Sequence, residues 1–249
     1  MSGHSKWSTI KRKKGAADAK RSKMFSKIVK DITIAVKEGG NDPDSNPKLR
    51  LAITNAKGVS MPKDNIQRAI KKGDDKESNN YEELTYEGYA PHGIAVFLEC
   101  TTDNTQRTVA NVRAVFNKYS GSLGKNGSLS FIFDRKGFFS LELGDLNMDD
   151  LELEFIDAGA EDIEVEEQHI TITTAMEDFG SMMKKLEELN IEPESAELQR
   201  IPVTTEKLDV ESAKKVLKII EIFEEDDDVS NVYHNLEMTD ELEEALSQE

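Results

Sequence analysis

Apolar residues near the N-terminus recur with the period of a helix, and further on they recur with the period of a strand. Phe25, Val29, Ile32 and Val36 are spaced by four, three and four residues, so the pattern predicts a helix running from about Ala16. Gly39-Gly40 ends it, because glycine accepts the left-handed turn of a helix terminus. Asn46-Pro47 supplies an N-cap with proline at the first helical position. Leu49, Ala52, Ile53 and Ala56 line the second helix, which Gly58 closes. Pro62 opens a third, with Ile66, Ala69 and Ile70 inward and Gly73 after it. The three helices predict a small bundle ending near Asp75. Its outer faces hold Lys20, Lys23, Lys27, Lys30, Arg68, Lys71 and Lys72. Residues 1–15 lack periodicity and read as an arm.

After a polar linker the period shortens. Strands are expected at Leu84 to Tyr89 and Ile94 to Cys100, then a helix from Thr105 to Tyr119, a glycine loop, and a strand from Ser128 to Phe133. Beyond Gly137 the order strand, helix, strand, strand, helix, strand is the ferredoxin-like arrangement. A last helix (Val210 to Glu224) and strand (Val229 to Asn235) lack partners of their own, so they return to the unit left at Phe133. The expected fold is α+β with three domains: an N-terminal three-helix bundle and two α/β sandwich domains, the third (ferredoxin-like) inserted in the second. The boundaries fall at 1–76 for arm and bundle, 81–134 plus 206–238 for the second domain, 135–205 for the insertion, and 239–249 for an acidic tail.

Charge sharpens this picture. Up to Lys76 the chain has 19 basic and 8 acidic residues, whereas the other 173 residues have 13 basic and 41 acidic. The net charge of -17 hides a cationic front on an anionic body. Such a front addresses polyanions, nucleic acid first among them. The longest aliphatic run, Ile94 to Leu98, is far short of a membrane span. The basic start lacks the apolar segment of a secretory signal. The single cysteine, Cys100, excludes a disulfide framework and fits a cytoplasmic protein.

Candidate chemistry is sparse. Residues 104–133 contain no Asp or Glu but do contain Arg107, Arg113, Lys118 and Lys125 with Asn104 and Asn111. Arg107 and Asn111, four apart on a helix, together with the Gly121–Gly127 loop, suit contacts to phosphates or bases. The alternative is an ordinary solvated helix. The loop lacks the spacing of a nucleotide-hydrolysing phosphate loop, although its glycines permit a backbone nest for a phosphate. Asp42 to Ile53 lacks the glycine and the final glutamate of a calcium loop. The four histidines are scattered and no nucleophile motif is present, so no metal, cofactor or enzymatic activity is expected. Gly58-Val59-Ser60 resembles a helix-turn-helix corner, but the aliphatic residue due six positions after the glycine is Asp64. From Ile219 to Glu249 there are twelve acids and no Lys or Arg. This stretch reads as a solvated tail, or as a screen that covers the basic arm until nucleic acid displaces it.

Five separated motifs carry a family resemblance. Gly3-His4-Ser5-Lys6-Trp7, the run from Gly39 to Arg50, Met61 to Ile66, Tyr86 to Gly93 and Thr102 to Arg113 resemble the YebC/PmpR family across the whole chain. That likeness implies a helical N-terminal domain with two α/β domains, the third inserted in the second, and it argues against a transit peptide. It also implies regulation of gene expression. Members are labelled promoter-binding transcriptional regulators, a mitochondrial relative activates translation of cytochrome c oxidase, and bacterial members are connected with ribosomes stalled on proline-rich sequences. The positions carried over are Lys6, Trp7, Lys11, Arg12, Lys13 and Lys14 in the arm, and Asn104, Arg107 and Asn111 in the second motif. The family usually has a Gly-Gly pair before its loop, and here the first of the two is Ser120.

The expected interface therefore comprises Lys6, Trp7, Lys11, Arg12, Lys13, Lys14, Lys20, Arg21 and Lys23, with Asn104, Arg107, Asn111, Arg113 and Lys125. The arm's cations suit phosphate contacts that follow a groove, and Trp7 suits either stacking on a base or packing on the first helix. The leading expectation is a monomeric, non-enzymatic factor that grips ribosomal RNA or tRNA, with the ribosome as partner. The alternative is a regulator bound to promoter DNA.

Overall fold

A computed structural model describes residues 17–75, 80–166 and 168–247, with side chains from residue 22 onward. Helices α1 (Ala17–Gly39), α2 (Pro47–Gly58) and α3 (Lys63–Asp74) come first. They are followed by β1 (Glu82–Tyr89), β2 (Ala95–Thr102), α4 (Thr105–Lys118) and a two-residue strand β3 (Ser122–Leu123). Next come β4 (Phe133–Glu142), α5 (Met148–Asp157), β5 (Ala160–Glu166), β6 (His169–Ala175), α6 (Phe179–Glu188) and β7 (Ser195–Pro202). The chain ends with α7 (Val210–Glu225), β8 (Val229–His234) and α8 (Asp240–Ser247). The sheets run β3-β1-β2-β8 and β5-β6-β4-β7. The second is the strand order of a ferredoxin-like fold, and β8 returns to the first sheet, so the fold is α+β with one α/β domain set inside the other. Among the described residues no helix is long and apolar enough to cross a membrane.

Two compact units result. One joins Met24–Ser78 to Arg135–Arg200, and the other contains Asn79–Asp134 and Ile201–Glu249. In the first unit, Ile32, Val36, Leu49, Ala56 and Ala69 form the bundle core. Asn46 organises the α1–α2 corner. Its Oδ1 accepts the Leu49 N–H at 3.1 Å, while its Nδ2 donates to the carbonyls of Ala35 and Gly40 at 2.7 and 2.8 Å. Buried at both ends, this amide caps α2 and satisfies carbonyls left over by α1.

The bundle shares its unit with the ferredoxin-like domain. Leu51 of α2 packs against the core built on Phe139, Phe155 and Ile172. Strand β7 lies at a sheet edge, and Asn55 pairs with it as another strand would. Its Nδ2 donates to the Ala196 carbonyl at 3.0 Å and its Oδ1 accepts the Ala196 N–H at 2.9 Å. An exposed edge is thereby closed by a side chain. The backbones meet so closely that a Cβ on Gly58 would lie 1.6 Å from the Glu194 carbonyl oxygen.

In the second unit, β2 is buried on both faces. Val96, Leu98 and Cys100 turn to a core completed by Val112 and Phe116 of α4 and by Val216, Ile220 and Phe223 of α7. Ala95 and Phe97 turn the other way, onto Leu129, Phe133 and Tyr233. Helix α4 ends with Ser120 at φ 58°, and the Gly121 N–H reaches back to the Phe116 carbonyl at 2.8 Å. The residue that departs from the family's Gly-Gly pair thus occupies the left-handed conformation that glycine prefers.

Two expectations require correction. Residues 128–132 form turns rather than a strand, and the added strand is Ser122–Leu123. The Leu129 N–H, which a ladder would need, is taken by the buried Glu87 carboxylate at 2.6 Å, and the same carboxylate accepts the Gly127 N–H just before the segment at 2.7 Å. The acidic segment expected as a solvated tail from residue 239 is largely helix α8, and its Leu242 and Leu246 are buried in the main core with Met238. Two leucines four apart give the segment an apolar face, and Asp240, Glu241 and Glu244 are exposed on the other.

Gly58→Ala is expected to lower stability by about 1–3 kcal/mol, because the methyl must push two backbones apart. Equilibrium urea unfolding measures it. Leu242→Ala should cost about 2–4 kcal/mol by cavity formation, a loss that a solvated tail would not show in the same measurement.

Candidate nucleic-acid interface

Of the cations expected to bind nucleic acid, Lys6, Lys11, Arg12, Lys13 and Lys14 lie with Trp7 outside the described residues. Lys20 and Arg21 fall on the first turns of α1, and their side chains are also outside them. Lys23 is half-buried on the same helix. The cationic surface that is described lies chiefly on α3. Ile66, Ala69 and Gly73 bury one side of this helix, which turns Lys63, Gln67, Arg68, Lys71 and Lys72 to solvent. A Cβ on Gly73 would lie 2.7 Å from the Val36 Cβ and 3.0 Å from the Thr33 carbonyl, so α1 and α3 cross almost backbone to backbone. Arg68 is oriented by its own helix: Nη2 donates to Asn65 Oδ1 at 2.6 Å and Nε to the Asp64 carbonyl at 3.2 Å. Lys63 and Lys71 form no ion pair among the described residues, so their ammonium groups face water alone.

The expected cluster on α4 has a different occupation. Asn104 is the N-cap, its Oδ1 accepting the Arg107 N–H at 3.0 Å. Arg107 forms a two-pronged pair with Asp228, Nε to Oδ2 at 2.9 Å and Nη2 to Oδ1 at 2.7 Å, and Nη2 also reaches Asp103 at 2.9 Å. Thr108 Oγ1 adds a bond to Asp228 Oδ2 at 3.0 Å, and the Thr101 N–H donates to the Asp228 carbonyl at 2.8 Å. The Asp228 side chain is only 6% exposed. Hydrogen bonds to Asp228 first, then to Asp103, hold the Arg107 guanidinium well above its ordinary pKa. Asn111 contacts Asp226 at 3.3 Å. Arg107, Thr108 and Asn111 fasten the start of α4 to the α7–β8 turn, with two carboxylates already bound to the arginine. Arg113 and Lys125 remain exposed, without an ion pair among the described residues.

The glycine loop is also internally satisfied. Both Glu87 oxygens point into it, one bonded to the Gly127 N–H and the other to the Leu129 N–H, with Ser128 Oγ nearby at 3.4 Å. The Gly124 N–H donates to the Glu87 carbonyl at 2.7 Å. The protein's own carboxylate occupies the nest expected for a phosphate, which corrects that expectation. The sequence reading passed over Phe131, which is 74% exposed. Alternation places Leu129, Phe131 and Phe133 on one side of a strand, but with turns in place of the strand, Leu129 and Phe133 point inward and Phe131 outward. Nothing in the alternation marks that reversal. The only advance signal was the cluster of glycines and serines before it.

Bundle, first sheet and inserted ferredoxin-like domain define a class of α+β protein with a basic helical face, and comparison with known proteins narrows it further. The family model described as the TACO1/YebC protein N-terminal domain matches residues 5–76, and that of the TACO1/YebC second and third domain matches residues 81–236. The chain belongs to the TACO1/YebC family. It is 54% identical over 239 residues to a "Probable transcriptional regulatory protein" of Amoebophilus asiaticus, covering 95% of this chain and 98% of the relative. A protein of the same description from Chlorobaculum parvum is 49% identical over the full length of both chains. The crystal structure of a conserved hypothetical protein from Aquifex aeolicus is similar at a TM-score of 0.78 and 41% identity, covering 90% of this chain and 93% of that one.

Replacing Asp228 with Asn should lower stability by about 1.5–3 kcal/mol, since Arg107 loses its charged, two-pronged partner. Affinity for a nucleic-acid probe, compared below the unfolding transition, should stay within about twofold if Arg107 serves as a clasp, whereas a larger rise would show that the released arginine binds the probe.

Proposed function

We propose that this protein is a non-enzymatic, nucleic-acid-binding regulator of gene expression, whose arm and helical bundle grip RNA on the translating ribosome. The observation that carries this reading is the α3 face, on which Lys63, Arg68, Lys71 and Lys72 are all exposed while the rest of the chain is strongly acidic. Lysine ammonium groups are point charges that bind phosphate without reading bases. Arg68, the one guanidinium on that face, already uses donors on Asn65 and Asp64. A surface that grips phosphates and offers few base-reading groups suits a folded RNA recognised by position. The arm residues Lys11, Arg12, Lys13 and Lys14 add positive charge to the same N-terminal part of the sequence.

A second reading, transcriptional regulation at promoter DNA, is favoured by the names of the similar proteins from Amoebophilus asiaticus and Chlorobaculum parvum. The first contact with phosphate is common to both readings, and they part over sequence dependence. Sedimentation with ribosomes, set against binding to promoter fragments at the same salt concentration, separates them. Cosedimentation that survives excess genomic DNA supports the ribosome, and a preference for particular duplex sequences supports the promoter.

With roughly six phosphate contacts, affinity should fall about a thousandfold between 50 and 200 mM salt. Lys63→Gln with Lys71→Gln should weaken RNA binding and reduce the slope of log affinity against log salt by about 1.4 for a single strand. Fluorescence anisotropy with labelled RNA reads both quantities. A slope unchanged by the double substitution would remove α3 from the interface.

A further inference from the structure

Phe131 is the most exposed large apolar side chain among the described residues. The backbone that carries it is fixed on both sides. Glu87 holds the Gly127 and Leu129 N–H groups, the Ile132 N–H donates to the Leu129 carbonyl at 3.0 Å, and the Val203 N–H donates to the Ile132 carbonyl at 2.8 Å. The neighbours Leu129 and Phe133 are buried under the sheet. With its flanks pinned, the phenyl ring is held outward, and Val203, whose backbone bonds to Ile132, is itself 58% exposed. The surroundings select the occupant. Residues 104–133 hold no acid, the next being the exposed Asp134 with Arg135 exposed after it, and Lys125 and Ser130 sit exposed in the same loop as Phe131. The carboxylate that does enter the loop, Glu87, is buried and spends both oxygens on backbone N–H groups. An aromatic face held outward on a loop that also carries an exposed lysine, without an ion pair among the described residues, fits a flat, neutral ring joined to an anion.

We propose that Phe131 stacks on an unpaired base of single-stranded RNA while Lys125 meets an adjoining phosphate. This gives the protein a contact that double helices cannot satisfy. The inference rests on the reading of the protein as RNA-binding, and it adds a preference for unpaired strands, carried by residues other than those of the arm.

The test measures binding of the full-length protein to a labelled oligouridine of about twenty nucleotides and to a mixed-sequence RNA duplex of equal length. Phe131→Ala should weaken single-strand binding by about five- to a hundredfold and leave duplex binding unchanged. Phe131→Trp should restore it, while Phe131→Leu, which keeps apolar bulk but loses the aromatic face, should not. The salt slope should be unchanged in Phe131→Ala and reduced by about 0.7 in Lys125→Gln. Thermal melting of each variant checks the fold, which an exposed side chain should not disturb. Wild-type affinity in Phe131→Ala or in Phe131→Leu overturns the stacking, as does an equal loss on strand and duplex. Loss of self-association in sedimentation, with RNA binding intact, would assign Phe131 to a second copy and overturn it as well. If the wild-type chain binds neither probe, the RNA-binding reading falls together with the inference. If only Phe131 proves indifferent while neutralising Lys11 to Lys14 abolishes binding, the inference alone falls.

Discussion

Strand β2 has no face left for water, and much of the second unit follows from that constraint. Its alternation sends Val96, Leu98 and Cys100 to one side and Ala95 and Phe97 to the other, and both sides need cover. Helices α4, α7 and α8 supply it on the first side. On the second, the chain between β3 and β4 must lie flat against the sheet and lend Leu129 and Phe133 to it. A covering segment of this kind cannot also form a ladder, so its N–H groups need another acceptor. Glu87 is that acceptor, buried and bonded to two of them. The inward turn of Leu129 and Phe133 leaves Phe131 outside, so the same packing demand that buries two apolar residues exposes the third.

Charged residues fall into two populations, with different work. Arg107 is bound to Asp228 and Asp103, and Glu87 is bound to backbone N–H groups, so these charges hold the first sheet's loops and helices in place. Lys63, Lys71, Arg113 and Lys125 are exposed without such partners among the described residues. A cation whose pairing energy is already engaged loses it on meeting a ligand, whereas a solvated lysine gains counterion release. For this reason the second population is better suited to nucleic acid than the first.

Residue by residue, the sequence was an uneven guide. The three helices near the N-terminus were legible because Asn46-Pro47 and the apolar spacing around Ile32, Leu49 and Ile66 act locally. The order of elements after Gly137 was sufficient for the ferredoxin-like sheet. The pairing of Arg107 was not legible, because an arginine on an outer helix face looks alike whether it meets phosphate or Asp228, and Asp228 is 121 residues away in sequence. Acid-rich α8 read as solvated because two leucines among many carboxylates are a weak apolar signal until a core is there to receive them.

Local chemistry thus set the three N-terminal helices, their caps, the succession of elements along the chain and the division into a cationic front and an anionic body, since each depends on neighbours along the chain. Tertiary structure alone decided which ionic groups are engaged and which are free, that Gly58 and Asn55 fasten the bundle to strand β7, and that Phe131 faces solvent. Those outcomes depend on atoms brought together from distant positions, at separations of a few ångströms that no spacing in the sequence encodes.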